Sequence, residues 1–188
     1  MKKVLLLFGG KSSEHYISCL SAKTIIENID TTKYDLTVVG IDEASRWYIF
    51  NDDLSYLKNG NWKESENIHL ISNLVNYLSL FDVVFPITHG NFGEDGKLQG
   101  FLDLFELNYV GCKTTASAAA MDKRIAKIIF ENLNIPQVPY TTINYDKYSL
   151  KKITKKLKYP LIVKPANGGS SIGISKADNK KELISAID

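Results

Sequence analysis

Apolar runs that end near glycine, with helical patterns between them, constrain the fold of this chain more than any other feature of its sequence. Val4–Phe8 is a continuous apolar run closed by Gly9-Gly10, Leu36–Ile41 is a second run, and Val83–Ile87 leads into a loop with three glycines. Strands buried on both faces of a parallel sheet have this composition. Because helical spacings separate the runs, the sequence predicts an α/β fold with a doubly wound parallel sheet.

A second unit is predicted after a long helix over Ala116–Leu133. The apolar run Leu161–Lys164 is followed by the glycine- and serine-rich stretch PANGGSSIG and by a returning strand over Ile172–Lys176. Strand, loop and strand together predict a hairpin with a long tip. We therefore expect a first domain over residues 1–120 and the beginning of a second over residues 121–188.

Composition excludes several classes of partner. The 188 residues carry a formal net charge of only +2, which gives no general attraction for nucleic acid or a membrane surface. No apolar stretch approaches the length of about 20 residues that a membrane span needs. The two cysteines and three histidines are scattered, which predicts neither a disulfide framework nor a metal site. A cytoplasmic protein is expected.

The stretch LFGGKSSEH raises a nucleotide-binding hypothesis that its spacing does not support. A P-loop would require glycine at position 5, where the chain has Leu5, and the dinucleotide pattern fails at Ser13. A turn from a strand into a helix can still bind a small anionic or zwitterionic ligand, and Glu14 could then accept hydrogen bonds from an ammonium group. Alternatively Ser12, Ser13 and Glu14 cap the helix, which the local pattern alone favours.

Three further side chains are singled out by their positions in the sequence. His89 follows a buried strand, where open α/β sheets place ligands, or is simply satisfied by loop backbone. Lys123 is a surface lysine by its local pattern. Lys164 ends an apolar strand beside small residues, so that it either extends to solvent or meets an anion such as phosphate.

The order of these motifs is more specific than any one of them. FGGKSSEHYIS, HGNFGEDGKLQGFLDLFELNYVGC, SAAAMDKRIAK and YPLIVKPANGGSSIGISK follow one another along the chain. In this order they closely resemble the D-alanine–D-alanine ligases of the ATP-grasp superfamily. The resemblance covers nearly the whole chain apart from residues 51–80.

The resemblance implies a Rossmann-like, pre-ATP-grasp domain followed by the start of an ATP-grasp domain. It also implies ligation of two D-alanines through an acylphosphate, for peptidoglycan synthesis, with ATP and Mg²⁺ as cofactors. The Mg²⁺ ligands are expected beyond residue 188, and no metal ligand is expected in this chain. We would then expect an N-terminal fragment, inactive alone, and a homodimer formed through the first domain.

The resemblance also assigns roles to individual residues. Glu14 matches the carboxylate that holds the ammonium group of the first D-alanine, His89 the histidine beside the reacting carboxylate, and Ser170 a serine that links to Glu14. These three are the expected catalytic residues. The other expected substrate-binding residues are Ile17, Ser18 and Gly90. The expected ATP-binding residues are Lys123, Lys164, Gly168, Gly169, Ser170 and Ser171.

Departures from the family pattern leave alternatives open. Tyr16 stands where the family commonly has a second acid, and Ile17 replaces valine, which is conservative. A D-Ala–D-Ser or D-Ala–D-lactate ligase of the vancomycin-resistance type is one alternative, because the residues that select the second substrate lie largely beyond Asp188. A non-catalytic module that binds an amino acid or mediates dimerisation is the alternative if 188 residues are the whole protein.

Overall fold

The computed structural model describes all 188 residues, which divide into two compact units, residues 1–118 and 119–188. The first unit contains β1 (Lys2–Gly9), α1 (His15–Asn28), β2 (Tyr34–Ile41), β3 (Trp47–Phe50), α2 (Ser55–Asn59), a 3₁₀ turn (Trp62–Glu64), β4 (Ile68–Leu70), α3 (Leu74–Leu78), β5 (Val83–Pro86) and α4 (Lys97–Leu104). The assignment of residues 1–120 to a pre-ATP-grasp domain and of residues 121–188 to the start of an ATP-grasp domain stays a prediction.

The first unit is built on a five-stranded sheet in the order β4-β3-β2-β1-β5. Strand β1 is central and runs parallel to both β2 and β5, which confirms the predicted α/β fold with a parallel sheet. Strands β3 and β4 extend the sheet in antiparallel fashion beyond β2. The carboxyl ends of β1, β2 and β5 therefore lie side by side at one edge, which is where open α/β sheets bind ligands.

Alternate side chains of β1 supply two separate cores, one on each face of the sheet. Leu5 and Leu7 pack with residues of α3 and α4, whereas Leu6 and Phe8 pack with residues of α1 and α2. Side chains of a strand alternate between faces, so a continuous apolar run is what a strand covered by helices on both sides requires. This arrangement is doubly wound, as the sequence predicts.

Helix α1 buries small side chains. Its buried residues are Ser18, Cys19 and Ala22, while Ile17 is 47% exposed. Small residues on the inner face let the helix approach the sheet closely. Because Cys19 is buried there, the pKa of its thiol is raised to about 12. The predicted helix is confirmed. Large apolar residues alone would have assigned Ile17 to the buried face, although it is exposed.

The second unit contains a small hairpin with two helices against it. Its elements are α6 (Lys123–Asn132), α7 (Leu150–Lys156), β6 (Leu161–Val163), β7 (Ser175–Ala177) and α8 (Lys180–Ile187), and α5 (Thr114–Met121) crosses the boundary between the units. Strands β6 and β7 pair antiparallel, which confirms the predicted hairpin, but β7 begins at Ser175 and not at Ile172 as predicted, because residues 171–174 form a turn. The core of this unit is formed by Ile153, Leu161, Ala177 and Leu183. No helix of the chain has the length and apolar character to cross a membrane.

The predicted single helix over Ala116–Leu133 is wrong, because the chain forms two helices there. Asp122 has extended backbone (φ −83°, ψ 104°), and its carboxylate accepts a hydrogen bond from the backbone N–H of Arg124. This is an N-cap, which ends α5 and starts α6 at once. The helical spacing of apolar residues continues through the break, so periodicity alone does not reveal it.

Candidate functional site

The β1–α1 loop, taken as residues 9–14 from the last residue of β1 to the start of α1, lies at the carboxyl edge of the sheet. Gly9 and Gly10 have φ of +82° and +98°, and a Cβ on Gly9 would lie 2.3 Å from the carbonyl oxygen of Ile41. Glycine is therefore required at position 9 both by conformation and by space. The two glycines turn the chain sharply over the end of β2 and into α1.

Most backbone N–H groups of this loop are already used within the unit. Gly9 N–H donates to Ser18 Oγ (2.8 Å) and Gly10 N–H to the carbonyl of Ile41 (2.7 Å). The N–H of Ser12 donates to the carbonyl of Gly10 (3.1 Å). A phosphate-binding loop offers such groups to its ligand. This geometry agrees with the sequence argument against a P-loop, despite the Gly-Lys-Ser string.

Glu14 stands at the start of α1, but its carboxylate does not cap the helix. The hydroxyl of Ser12 accepts the hydrogen bond from the Glu14 N–H instead (3.1 Å). The carboxylate lies against Gly90, where an added Cβ would be 2.6 Å from Glu14 Oε2. Glu14 is half-buried and faces the loop that follows β5.

His89 and Gly90 are brought to Glu14 by that second loop. The Nε2 atom of His89 lies 3.0 Å from Ser21 Oγ, and the His89 carbonyl accepts a hydrogen bond from Ser12 Oγ (2.8 Å). The imidazole is thus oriented by a helix side chain and not by loop backbone. Gly90 N–H donates to the Glu94 carboxylate (2.7 Å), which closes the loop on itself.

The other two predicted substrate-binding residues differ in their surroundings. The hydroxyl of Ser18 is buried, accepts from Gly9 N–H and donates to the carbonyl of Ile87 (2.6 Å), so it ties the ends of β1 and β5 together. Ile17 is exposed on the first turn of α1. Ser18 therefore has a structural task of its own, and substrate contact by Ile17 and Ser18 stays a prediction.

Sequence reasoning missed Ser12 as a tie to the β5 loop and Ser21 as the partner of His89. Ser21 lies seven residues after Glu14, which is two helical turns and therefore the same face of α1. Polar residues at positions 14, 18 and 21 were a usable signal for a helix face turned toward the sheet edge. The hydrogen bond between His15 and Trp62 carried no comparable signal, because 47 residues separate them.

This arrangement can bind a small zwitterion. A half-buried carboxylate at Glu14 and an oriented imidazole at His89 stand on adjacent loops, so they can meet an ammonium group and a carboxylate on one small molecule. No group of three or more His, Cys, Asp or Glu side chains in the 188 residues is placed to hold a metal ion.

In the second unit, Lys123 contacts the loop between β6 and β7, residues 164–174. Its Nζ donates to the carbonyl of Gly168 (2.6 Å), and its backbone N–H donates to the carbonyl of Ala166 (2.9 Å). Lys123 is thus half-buried and bonded, and is not the solvated surface lysine that its local pattern favours. An ammonium group beside a glycine-rich loop is suited to a phosphate ligand.

The remaining predicted ATP-binding residues lie along the same loop. Lys164, Gly169, Ser170 and Ser171 are exposed, and Ser170 and Ser171 have φ of +53° and +60°. Residues other than glycine rarely adopt this conformation. Loops of this kind expose backbone N–H groups that suit phosphate oxygens, so the residues fit ATP. The predicted link from Ser170, in the second unit, to Glu14, in the first, stays a prediction.

Comparison with known protein families identifies both units. A family described as D-ala D-ala ligase N-terminus matches residues 3–112, and one described as D-ala D-ala ligase C-terminus matches residues 129–188. The D-alanine–D-alanine ligase of Acetivibrio thermocellus is 38% identical, over 99% of this chain and 58% of its own. That of Chloroherpeton thalassium is 41% identical, over 100% of this chain and 57% of its own. The chain thus spans about 58% of the first of these curated relatives.

Solved structures share the fold. The VanG D-Ala:D-Ser ligase from Enterococcus faecalis superposes with a TM-score of 0.83 at 34% identity, over 99% of this chain and 58% of that one. The D-alanine-D-alanine ligase from Coxiella burnetii gives a TM-score of 0.81 at 30% identity, over 100% and 59%. Both similarities extend over both units of the chain.

Proposed function

This chain belongs to the D-alanine–D-alanine ligase family, and from that premise we propose that the protein containing it joins two D-alanine molecules at the expense of ATP. The phosphoryl group passes from ATP to a carboxylate oxygen of the first D-alanine. The amino nitrogen of the second D-alanine then attacks the carbonyl carbon, and inorganic phosphate leaves. Positioning and charge neutralisation carry most of the catalysis in such reactions.

The position of Glu14 is the observation that carries this proposal. Its carboxylate starts a helix but does not cap it, and it lies against Gly90 on the loop that also bears His89. A carboxylate that is not used as a helix cap, half-buried at the carboxyl edge of a parallel sheet, is suited to the ammonium group of an amino acid. In the proposed reaction Glu14 holds that ammonium group, and His89 lies beside the carboxylate that becomes phosphorylated.

ATP phosphates would be held by the second unit. Lys123 and Lys164 supply positive charge, and Gly168, Gly169, Ser170 and Ser171 supply backbone and hydroxyl groups. When bound, ATP supplies the phosphoryl group and Mg²⁺ neutralises its charge. The residues of this chain bind and orient the phosphates and, by covering them, exclude water.

A D-Ala–D-Ser ligase is the second candidate. The observation that favours it is the similarity to the VanG D-Ala:D-Ser ligase, with a TM-score of 0.83. Incubation of the full-length protein with D-alanine alone, or with D-alanine and either D-serine or D-lactate, separates the candidates by the product formed. We expect D-alanyl-D-alanine as the dominant product.

We also propose that the protein is a cytoplasmic homodimer joined through the first unit. Large apolar side chains remain exposed on that unit, namely Leu70, Leu80 and Leu104, at 59%, 61% and 74%. Leu70 and Leu80 line one surface depression, and contiguous exposed apolar surface is typical of contact sites. Light scattering on the full-length protein tests the dimer, and a monomeric mass at micromolar concentration would overturn it.

Substitution of Glu14 tests the amino-acid site. In the full-length protein, Glu14→Gln should raise the KM for the first D-alanine by about 10- to 100-fold, because it removes a charge-assisted hydrogen bond. The KM for ATP should stay within about twofold of the wild-type value, since Glu14 itself contacts no phosphate in the proposed site.

Glu27→Gln is the matched control, because Glu27 lies on the same helix and pairs only with Lys23 at the surface. It should leave all kinetic constants near wild type. If Glu14→Gln changes the kinetics no more than Glu27→Gln does, the assignment of the ammonium site is wrong. Absence of any D-alanine-dependent ATP consumption by the wild-type protein would favour the non-catalytic module.

A further inference from the structure

A segment far from the β1–α1 loop in sequence contacts the first turn of α1. Residues 54–64, which include α2 and the 3₁₀ turn, make contacts with two consecutive residues of that turn. Trp62 Nε1 donates to His15 Nε2 (2.9 Å), and the hydroxyl of Tyr16 donates to the carbonyl of Lys58 (2.9 Å). The helix that begins at the candidate ammonium site is thus anchored from outside the site.

Trp62 is held in a fixed position by the core. It is fully buried, and its ring packs edge to face on Phe8 at a centroid distance of 5.0 Å. Space for it depends on Gly40, where an added Cβ would lie 2.7 Å from the Trp62 ring. A side chain of this size in a close-packed interior has one available orientation, so its N–H points in a fixed direction.

That N–H determines which nitrogen of His15 carries the proton. The indole group of Trp62 can only donate, so Nε2 of His15 accepts. The Nδ1 atom of His15 lies 2.8 Å from the carbonyl oxygen of Gly10, which can only accept, so Nδ1 carries the hydrogen. The neutral Nδ1–H tautomer is the one form of the ring that satisfies both contacts.

We propose that Trp62 and His15 are positioning residues for the first-substrate site. Together they fix the carbonyl of Gly10, from which the chain runs through Ser12 to Glu14. The same carbonyl accepts the Ser12 N–H (3.1 Å). The Ser12 hydroxyl in turn accepts from the Glu14 N–H and donates to the carbonyl of His89, in the loop that follows β5. The pair therefore acts through the backbone and does not touch the substrate. The inference depends on the proposed function only for the name of that substrate.

Tyr16 provides the second anchor. Its ring covers Gly60, where an added Cβ would lie 2.8 Å from a ring carbon, and Gly60 has φ of +74°. This packing gives Tyr16 a structural task at the position where the family commonly has a second acid. Segment 54–64 also carries Lys63, whose Nζ lies 2.6 Å from the Glu43 carboxylate after β2. Three contacts thus hold the segment that presents Trp62.

Kinetics of the full-length protein test the positioning role. Trp62→Phe removes the N–H but keeps an aromatic ring, and should raise the KM for the first D-alanine about fivefold with kcat and the KM for ATP within about twofold. Trp47→Phe is the matched control, because Trp47 is also buried but packs in the core on the other face of the sheet. It should change the KM for D-alanine by less than about twofold.

A double-mutant cycle separates an effect that passes from Trp62 through His15 from a general loosening of the core. His15→Asn keeps a donor for the Gly10 carbonyl, but its shorter side chain places no acceptor at the position of Nε2, where Trp62 donates. In this background Trp62→Phe should add less than about a twofold change in the KM for D-alanine. If Trp62→Phe behaves like Trp47→Phe, or if its effect is undiminished in the His15→Asn background, the proposal is overturned.

Measurements that need no activity distinguish this inference from the proposed function. Nitrogen chemical shifts of the His15 ring should show hydrogen on Nδ1 and none on Nε2, and hydrogen exchange at the Ser12 amide should be faster in Trp62→Phe than in Trp47→Phe. The opposite tautomer, or equal exchange in the two variants, refutes the positioning role even if the protein ligates D-alanine. Wild-type protein without ligase activity refutes the proposed function, and these two readouts then decide the positioning role alone.

Discussion

Two loops carry the candidate chemistry of this chain, and they are built in opposite ways. The β1–α1 loop, residues 9–14, begins with two buried glycines and is tied to α1, to the end of β2 and to the loop after β5. Each of these ties comes from a different element. Dense hydrogen bonding of buried backbone fixes a loop in one conformation.

The β6–β7 loop, residues 164–174, is largely exposed. Its hydrogen bonds are short turns within the loop, such as Ile172 N–H to the carbonyl of Gly169, together with two bonds from Lys123, one from Nζ to the carbonyl of Gly168 and one from the backbone N–H to the carbonyl of Ala166. Four of its residues have positive φ, namely Gly168, Ser170, Ser171 and Gly173. Exposed backbone with few buried contacts opens at low free-energy cost.

The difference matches the ligands proposed for each loop. An amino acid is small and its two charged groups are a fixed distance apart, so a preformed site binds it without the cost of ordering a loop. A polyphosphate must enter and then be shielded from water, which a loop that can reclose achieves. Substitutions in the two loops test this contrast.

The largest effect is expected from alanine substitution of glycine in the two loops. Gly9→Ala should destabilise the first unit by about 2 to 5 kcal/mol, since strained backbone and a clash with Ile41 add together. Gly168→Ala should cost about 1 to 2 kcal/mol in the second unit, because nothing lies within 4 Å of the added Cβ and only the φ of +113° opposes it. Both tryptophans lie in the first unit, so their fluorescence during urea unfolding measures the effect of Gly9→Ala. Amide hydrogen exchange in β6 and α8 measures the effect of Gly168→Ala on the second unit.

Gly111→Ala is the control for conformation without a clash, because Gly111 has φ of +124° and open space around it. Its midpoint of unfolding should shift much less than that of Gly9→Ala. Equal shifts for Gly9→Ala and Gly111→Ala would mean that the β1–α1 loop relaxes easily, and the contrast between the two loops would be lost.

A smaller effect is expected when the side-chain hydrogen bond from Lys123 to the β6–β7 loop is removed. Lys123→Met removes the hydrogen bond to the Gly168 carbonyl and a positive charge, so the KM for ATP should rise about tenfold in the full-length protein. Limited proteolysis within residues 164–174 should also become faster. Lys180→Met, at an exposed site on α8, should leave both properties unchanged. Wild-type values for Lys123→Met would contradict the assignment of Lys123 to phosphate binding.

The smallest effect is a pH dependence of the second unit. Hydrogen bonding to Arg124 lowers the pKa of Asp122 from 3.8 to about 2. A lowered pKa in the folded state means that the ionised carboxylate stabilises the N-terminus of α6. This contribution is complete above about pH 4 and disappears as the pH falls toward 2.

In Asp122→Asn, hydrogen exchange of the α6 amides should depend less on pH over this interval than in the wild-type protein. The asparagine still caps the helix but cannot titrate. Asp146→Asn, in the exposed segment before α7, should leave the profile unchanged. A profile for Asp122→Asn that is identical to the wild type would show that the carboxylate does not act through its charge.

The strands could be predicted from the sequence, whereas many of the contacts that hold the candidate site in position could not. Val4–Phe8 and Val83–Ile87 are apolar throughout, because their strands are covered on both faces, and this pattern is local. The break at Asp122 was missed because a cap interrupts backbone geometry without interrupting apolar periodicity. Its signal was the aspartate itself, which favours the cap position.

Some site residues could also be placed from the sequence, and others could not. Glu14, His89 and Gly90 follow strands and could be placed at one edge of the sheet from chain order alone. Ser21 required knowledge of which face of α1 turns inward, and large apolar residues such as Ile17 misdirect that inference. Trp62 lies in the part of the sequence with the weakest periodicity, and only the folded chain brings it to His15.

The most direct test of the preformed amino-acid site is a titration of the full-length protein with D-alanine, followed through backbone amide chemical shifts. We predict saturable shifts at Ser12, Ser13, Glu14, His89 and Gly90, with residues 164–174 unchanged until ATP is added. Saturable D-alanine shifts confined to other residues, with the β1–α1 loop unaffected, would contradict the account.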